Sequence, residues 1–355
     1  MSLSSCKPIP TNASINGIYA PHFYRIVKCH CVIVPKEKAE EVRRKLVDGD
    51  LLVTGLRIKR DEKNVYFPVK KKVDMDGCFS SMEDFEEIGK KSYLDILKAA
   101  GIRPESISID FIGSIALLRM KDESVAIKVA EALLETNRNV RTVCLDRGVE
   151  GDYRVRNVEV IAGEKKTEAI HREYGLRIKL DVAKTYFSPR LATERIRVAK
   201  QVAEGSVVVD MFAGVAPFSL VIAKYARPSK IYAIDVNPYA VRYARENVML
   251  NGMAGIIEVI EGDAKGVIKK LPHANHIIMN LPHSSFHFLP DAIGKGDIIH
   301  YYEIMDRGRE KERIDEICGV AREHGFEIEV KNLRVVGSYS PSKQKMGMEL
   351  YVKPI

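Results

Sequence analysis

Tryptophan is absent from this chain of 355 residues, and only six cysteines (Cys6, Cys29, Cys31, Cys78, Cys144 and Cys318) are scattered along it. So sparse a set excludes a disulfide framework and points to reduced thiols in a cytoplasmic protein. No run of about 18 apolar residues exists, which excludes a membrane-spanning helix. The opening "MSLSSCKPIPTNASINGIY" has neither the charged region nor the apolar segment of a secretory signal. Metal-ligand spacing is missing too. "CHC" at 29–31 has no second Cys/His pair nearby, and the alternation of "CHCVIVP" reads as a strand.

What is present is a 46% apolar content, ample for real cores in two or three domains. The net charge of +8 makes an acidic partner such as RNA plausible. The first 24 residues show no periodicity. Residues 29–69 then read strand, helix, strand, and from Lys36 to Lys72 there are twelve Lys/Arg against seven Asp/Glu. This small basic module (1–75) is either a solvated face or a nucleic-acid contact. The polar stretch 70–92 reads as a linker. An α+β unit follows (76–180), with a hairpin around Gly113-Ser114 and a helix that puts Ala126, Val129, Ala130, Leu133 and Leu134 on one face.

From 181 to 355 strands and helices alternate, which implies an α/β domain with a mainly parallel, doubly wound sheet. "VVVDMF", "KIYAID", "IIEVIEGD", "HIIMNLP" and "DIIHYYEI" read as its strands, and a terminal hairpin closes the chain. Asn237 and Pro238 mark a helix start, and Gly252 its stop. Ligands are expected at the carboxyl ends of the strands. Three acidic residues end successive strands there: Asp210, Asp235 and Asp263. Each either caps a helix or serves a ligand. Gly214 after Asp210 lets backbone approach a ligand closely. A carboxylate at Asp235 can accept both hydroxyls of a ribose. The turn is not G-x-G-x-x-G, so a dinucleotide is disfavoured, and the set suits S-adenosylmethionine.

The segments "YRVRNVEVIAGE", "DVAKTYFSPRLATER", "VVVDMFAGVAPF", "AIDVNP" and "MNLP" lie in order from 153 to 282. With them the chain resembles the class I (Rossmann-like) methyltransferases, and more narrowly the archaeal and eukaryotic-type tRNA (guanine-37-N1)-methyltransferases. The resemblance implies methyl transfer from S-adenosylmethionine to N1 of guanosine 37 in the tRNA anticodon loop, with contacts to the tRNA body and a monomeric protein. Guanine N1 carries a proton, so the reaction needs a base and donors that stabilise charge on O6. By resemblance the base is Glu194 and the charge-stabilising group is Arg154. Asn280 and Pro282 form the floor under the flipped base. Tyr186, Arg195, Asp210, Phe212, Gly214, Asp235, Val236, Asp263, Ala264 and Asn280 are expected at the cofactor, and Arg190, His283 and Phe286 at the substrate. Tyr186 reads equally as a core aromatic.

This chain departs from the family pattern at three places. Ala216 stands where a glycine is usual, Ala192-Thr193 where two glycines are usual, and His283-Ser284-Ser285-Phe286-His287 where many members have a lysine and an Ala-His pair. The aromatic-rich wall suits stacking on a larger ring. A second activity, methylation of C7 of the tricyclic wyosine precursor 4-demethylwyosine to give isowyosine, is therefore an expectation. His283 and His287 stand at i, i+4 spacing without a carboxylate partner, so no metal is expected. Rival readings are an amino-directed methyltransferase, whose N-L-P turn would accept from an exocyclic NH2, and a non-catalytic tRNA-binding protein that retains the fold.

Overall fold

The computed structural model describes residues 26–87, 92–104, 106–151 and 153–355; the aperiodic lead-in of the first 24 residues lies outside them. These residues form two compact units that meet in sequence between Ser92 and Tyr93. The first contains β1 (Ile26–Pro35), α1 (Ala39–Asp48), β2 (Lys59–Arg60), β3 (Asn64–Pro68) and β4 (Phe79–Glu86). Its antiparallel sheet has the order β2-β3-β1-β4. Val32 and Val34 alternate inward with Val65 and Phe67 and close a small core on Val42 and Leu46 of α1. Glu40 and Glu41 pair along the helix with Arg43, Arg44 and Lys45, so part of the basic excess is compensated locally.

Residues 70–87, the described part of the stretch read as a linker up to 92, do not form one. They supply β4, which pairs with β1 from Ile26↔Glu86 to Ile33↔Phe79. Most β4 side chains stay in or near solvent, with only Phe85 buried, so the strand never acquires the apolar alternation that would mark it. The first compact unit runs to Ser92.

The second unit opens with α2 (Tyr93–Ala99), β5 (Ser108–Ile112), β6 (Ile115–Arg119), α3 (Glu123–Thr136), β7 (Thr142–Glu150) and β8 (Val155–Gly163). The hairpin expected at Gly113-Ser114 joins β5 to β6 with Ile112 opposite Ile115. Glycine is required at 113: its φ is +55°, and a Cβ there would lie 2.5 Å from the carbonyl oxygen of Ile170. One face of the β5-β6-β7-β8 sheet buries Ala116, Leu118, Val143 and Leu145 against Ala126, Val129 and Leu133 of α3. The other carries Leu117 and Cys144 into a core shared with the rest of the unit.

A hairpin of β9 (Glu168–Glu173) and β10 (Leu176–Asp181) leads to α4 (Ala192–Ala199). Then come β11 (Val207–Asp210), α5 (Pro217–Ala226), β12 (Lys230–Asp235), α6 (Pro238–Leu250), β13 (Ile257–Glu261), α7 (Ala264–Ile268), β14 (Ala274–Met279), α8 (Ser285–Ala292), β15 (Gly296–Asp306), α9 (Glu310–Glu323), β16 (Phe326–Ser338) and β17 (Lys343–Pro354). The strands form one sheet in the order β13-β12-β11-β14-β15-β17-β16, parallel from β13 to β15 and antiparallel at β17 and β16. The chain leaves β11 toward β12 and returns on its other side at β14. The carboxyl ends of β11, β12 and β14 thus surround a topological switch point, where open α/β sheets hold their ligands. Helix α6 begins as its sequence suggests: the Asn237 carboxamide accepts from the Tyr239 N–H at 3.0 Å, and Pro238 holds the first helical position.

Candidate active site

A cavity of about 640 Å³ opens at this switch point. Phe212, Ala213 and Gly214 of the turn after β11, Asp235 at the end of β12, and Asn280, Leu281, Pro282 and His283 after β14 line one side. The β5-β6-β7-β8 sheet contributes Ser108, Asp110, Arg119, Asp146 and Arg156, with Arg154 in the turn just before β8. Tyr186 and Arg190 enter from the segment before α4, and Lys345 from β17.

The turn after β11 is tight. Gly214 has φ +57° and Ala216 has φ +67°, both left-handed. For an alanine this costs about 1 kcal/mol, which explains why a glycine is usual at position 216. The Gly214 N–H donates to Asp235 at 2.6 Å, and the Asn237 N–H donates to the other oxygen of that carboxylate at 2.9 Å. Burial pushes the Asp235 carboxyl up, while these backbone donors pull it down. Asp210 lies behind the turn. Burial raises its carboxyl to about 7, opposed by the Ser219 hydroxyl and reinforced by Asp235. Its Oδ1 is buried and has no partner among the described residues. Two carboxylates at a helix start and no lysine or arginine in the β11–β12 turns describe a pocket for a polyhydroxylated, phosphate-free ligand. These features fit S-adenosylmethionine: Asp235 would accept ribose hydroxyls, and Phe212 and the side-chain-free Gly214 would flank it.

The turn after β14 is held from several sides. Ile304 N–H donates to the Pro282 carbonyl at 2.8 Å, and the Ser285 hydroxyl donates to the Met279 and Leu281 carbonyls at 3.1 and 3.0 Å. The Asn280 Oδ1 accepts from the Lys345 ammonium at 2.9 Å. His283 meets the Tyr339 ring edge-on at 5.2 Å.

On the opposite wall Tyr186 is 46% exposed and Arg156 lies over its ring at 5.2 Å, which settles Tyr186 as a cavity residue and not a core aromatic. Arg154 sits in the turn before β8 with φ +52°, a strained backbone of the kind that clusters at functional sites. Arg156 is buried, paired with Asp146 and, at 3.4 Å, with Asp110; its Nε has no partner among the described residues.

Several expected site residues lie elsewhere. Asp263 is exposed and caps α7 by accepting from the Lys265 N–H at 3.2 Å; Ala264 is buried in the helix behind it. The side chain of Val236 is in solvent. Phe286 packs beside the β14–β15 core with Arg313 stacked on its ring at 4.4 Å. None of the four lines the cavity. Arg190 reaches the cavity rim but spends its guanidinium on Asp110 at 2.6 Å and Ser108 at 2.7 Å. Arg195 does line the cavity, but it is 1% exposed and forms a fork with both oxygens of Glu173, which ties α4 to β9.

Glu194 is also absent from the cavity wall. Helix α4 turns it toward β15 and β16, where the Tyr302 hydroxyl donates to it at 2.6 Å and the Arg197 guanidinium at 2.8 Å; Arg334 completes the set. Burial works against its charge, but hydrogen bonds from Arg197, Arg334 and Tyr302 outweigh burial and bring the carboxyl down to about 2. In this arrangement it is a fixed anion and a weak proton acceptor. Arg334 is aimed there by a bulge in β16, where the pairing shifts between Lys331 and Arg334.

Arg334→Met tests this network. A carboxyl held below its ordinary value contributes stability above the ordinary pKa of about 4 and loses it as pH falls through the folded value. With Arg334 gone burial weighs more and the Glu194 carboxyl rises toward its ordinary value, so the variant lacks at neutral pH much of the stability that the wild type loses only in acid. R334M should melt below the wild type at about pH 7, and the gap should narrow as pH falls to about 3. Superimposable curves would refute the assignment.

The charged residues that complete the site, Arg156, Arg334 and Lys345, stand in strands whose sequences give no sign of them. The exception is the second arginine of "RVR", whose place inside β8 marks it for the sheet face.

Comparison with known proteins agrees with this geometry. The TRM5/TYW2 methyltransferase domain model matches residues 169–336, the tRNA methyltransferase 5 N-terminal domain matches 31–76, and the TYW2 N-terminal domain matches 106–167. The chain is 38% identical to the tRNA (guanine(37)-N(1))-methyltransferase Trm5b of Pyrococcus abyssi, over 90% of this chain and 98% of that one. It is 33% identical to the tRNA 4-demethylwyosine(37)-methyltransferase Taw21 of Saccharolobus solfataricus, over 57% of this chain and 79% of that one. The solved complex of aTrm5 and tRNALeu superposes with a TM-score of 0.67 at 31% identity, over 91% of this chain and 99% of that one. With a relative this similar over nearly its full length, the chain belongs to the Trm5/TYW2 methyltransferase family.

Proposed function

We propose that the protein methylates N1 of guanosine 37 in the anticodon loop of tRNA, using S-adenosylmethionine. The observation that carries the reading is the single cavity in which the acidic, phosphate-free pocket around Asp235 and Gly214 meets the Asn280–Pro282 floor and the arginine-bearing sheet face. The cofactor, when bound, supplies an activated methyl group; the residues then have to orient the base, neutralise O6 and receive the N1 proton. A flipped guanine rests against Pro282 and Tyr186, with Arg154 facing the charge that builds on its oxygen and the buried Arg156 backing the Tyr186 ring. Glu194 is assigned the N1 proton; to accept it the carboxylate has to leave Arg197, Arg334 and Tyr302 and turn into the cavity, where burial raises it. We assign tRNA-body contact to the basic first unit and RNA contact near the site to residues 93–180, with residues 181–355 as the methyltransferase domain.

A second activity on the tricyclic precursor 4-demethylwyosine is supported by the His283–Tyr339 wall, which offers ring edges to a base larger than guanine. One experiment tests both. Purified protein is incubated with labelled S-adenosylmethionine and tRNA carrying either guanosine or 4-demethylwyosine at position 37. Label is expected on both; no label on the tricyclic base removes the second activity, and no label on either removes the reading.

A further inference from the structure

Among the cavity-lining cations, Lys345 is the one that touches the N-L-P turn. Strand β17 pairs with β15 so that Lys345 stands opposite Ile304, the residue whose N–H donates to the Pro282 carbonyl. Two neighbouring strands thus grip one turn, β15 by its backbone and β17 by the Lys345 ammonium on the Asn280 Oδ1 at 2.9 Å. The ammonium also lies over the Tyr302 ring at 5.5 Å, and Tyr302 in turn donates to Glu194.

A charged lysine has three donors and no acceptor. Whatever the local packing, the amide oxygen of Asn280 must face it and the amide NH2 must face away. That NH2 donates to nothing among the described residues, while Asn280 lines the cavity. We infer that Lys345 is a positioning residue that locks the Asn280 carboxamide with its NH2 toward the substrate, so that the N-L-P turn donates to a carbonyl oxygen and does not accept from an exocyclic amine. This rests on the proposed function and deepens it. A donor at O6 stabilises the anion formed when guanine N1 loses its proton, whereas a turn presenting Oδ1 would serve the N6 amine of adenine. The lock separates a 6-oxo purine from a 6-amino one.

The lock depends on charge. A neutral amine has a lone pair and can accept from the amide NH2, so the carboxamide can turn over. Burial lowers the Lys345 ammonium to about 8, opposed by Glu194 and reinforced by Arg195. The other titratable groups near it are Tyr302, held protonated far above its ordinary range, and His283, pushed down by burial, Arg154 and Lys345. Activity that needs the lock should therefore decline as pH rises through about 8.

The test measures kcat and KM for tRNA, the Kd for S-adenosylmethionine and the product nucleoside for the wild type, K345M, K345R, N280A and K345M/N280A. K345M should lose about tenfold or more in kcat, with cofactor affinity and melting temperature retained. Adding K345M to N280A should cost less than about twofold, because the two act through one contact. K345R should stay within a few-fold of the wild type and lack the decline above about pH 8, since a guanidinium keeps its charge. Wild-type kcat in K345M, or full additivity with N280A, would overturn the inference. If K345M fails to fold, a K345R profile superimposable on the wild type does the same. A wild-type enzyme that forms no 1-methylguanosine sinks the functional reading instead.

Discussion

Exchanging Glu194 for Gln should lower the single-turnover rate of methyl transfer by about 100- to 10,000-fold, the contribution of a positioned base, while leaving affinity for S-adenosylmethionine nearly intact. Gln keeps the volume and one acceptor for Tyr302. The guanidiniums of Arg197 and Arg334 also face Glu349, at 3.6 Å for Arg334, so neither is left without an anion. The fold should therefore survive, and calorimetry with the cofactor should separate lost chemistry from lost structure. The variant is informative because the resting geometry is awkward for a base: the carboxylate is paired three ways and held at about 2. A rate within a few-fold of the wild type would remove Glu194 from the proton-accepting role and leave it a structural anion between α4 and β16.

At the cavity itself, Asp235→Ala should weaken cofactor binding by roughly 100-fold, as expected for the loss of two charge-assisted hydrogen bonds. A structural explanation competes, since Asp235 also receives the Gly214 and Asn237 N–H groups. Asp235→Asn separates the two. Its amide retains one acceptor oxygen for the backbone but loses the charge and the second acceptor. A ribose-binding role predicts a loss of at least about tenfold in cofactor affinity for D235N. A turn-capping role predicts near wild-type binding, and tRNA retention in a gel shift should be unchanged in either variant.

Local chemistry was what could be read from the residues alone. Asn237-Pro238 named a helix start, Gly113-Ser114 a hairpin, and Asp235 and Asn280 the ends of buried strands; all four stand where that reading puts them. Asp263 shows the limit. A carboxylate at a strand end caps the following helix in the same position from which it would meet a ligand, and only the cavity distinguishes the uses. The strand β4 was hidden because a mostly exposed strand carries little periodicity. The network around Glu194 was hidden for a different reason: Arg334 lies 140 residues away in sequence, and Lys345 lies 65 residues from Asn280. Their meeting is decided by the antiparallel β17 inserted between β15 and β16, a property of the sheet order and not of any segment.

On this geometry the cavity methylates the ring nitrogen of a 6-oxo purine and not an exocyclic amine. The most direct test is to incubate unmodified tRNA bearing guanosine 37 with the protein and labelled S-adenosylmethionine, digest to nucleosides and identify the labelled one by mass spectrometry. The labelled nucleoside should be 1-methylguanosine. Label in N2-methylguanosine or N6-methyladenosine, or none in any nucleoside, would contradict it.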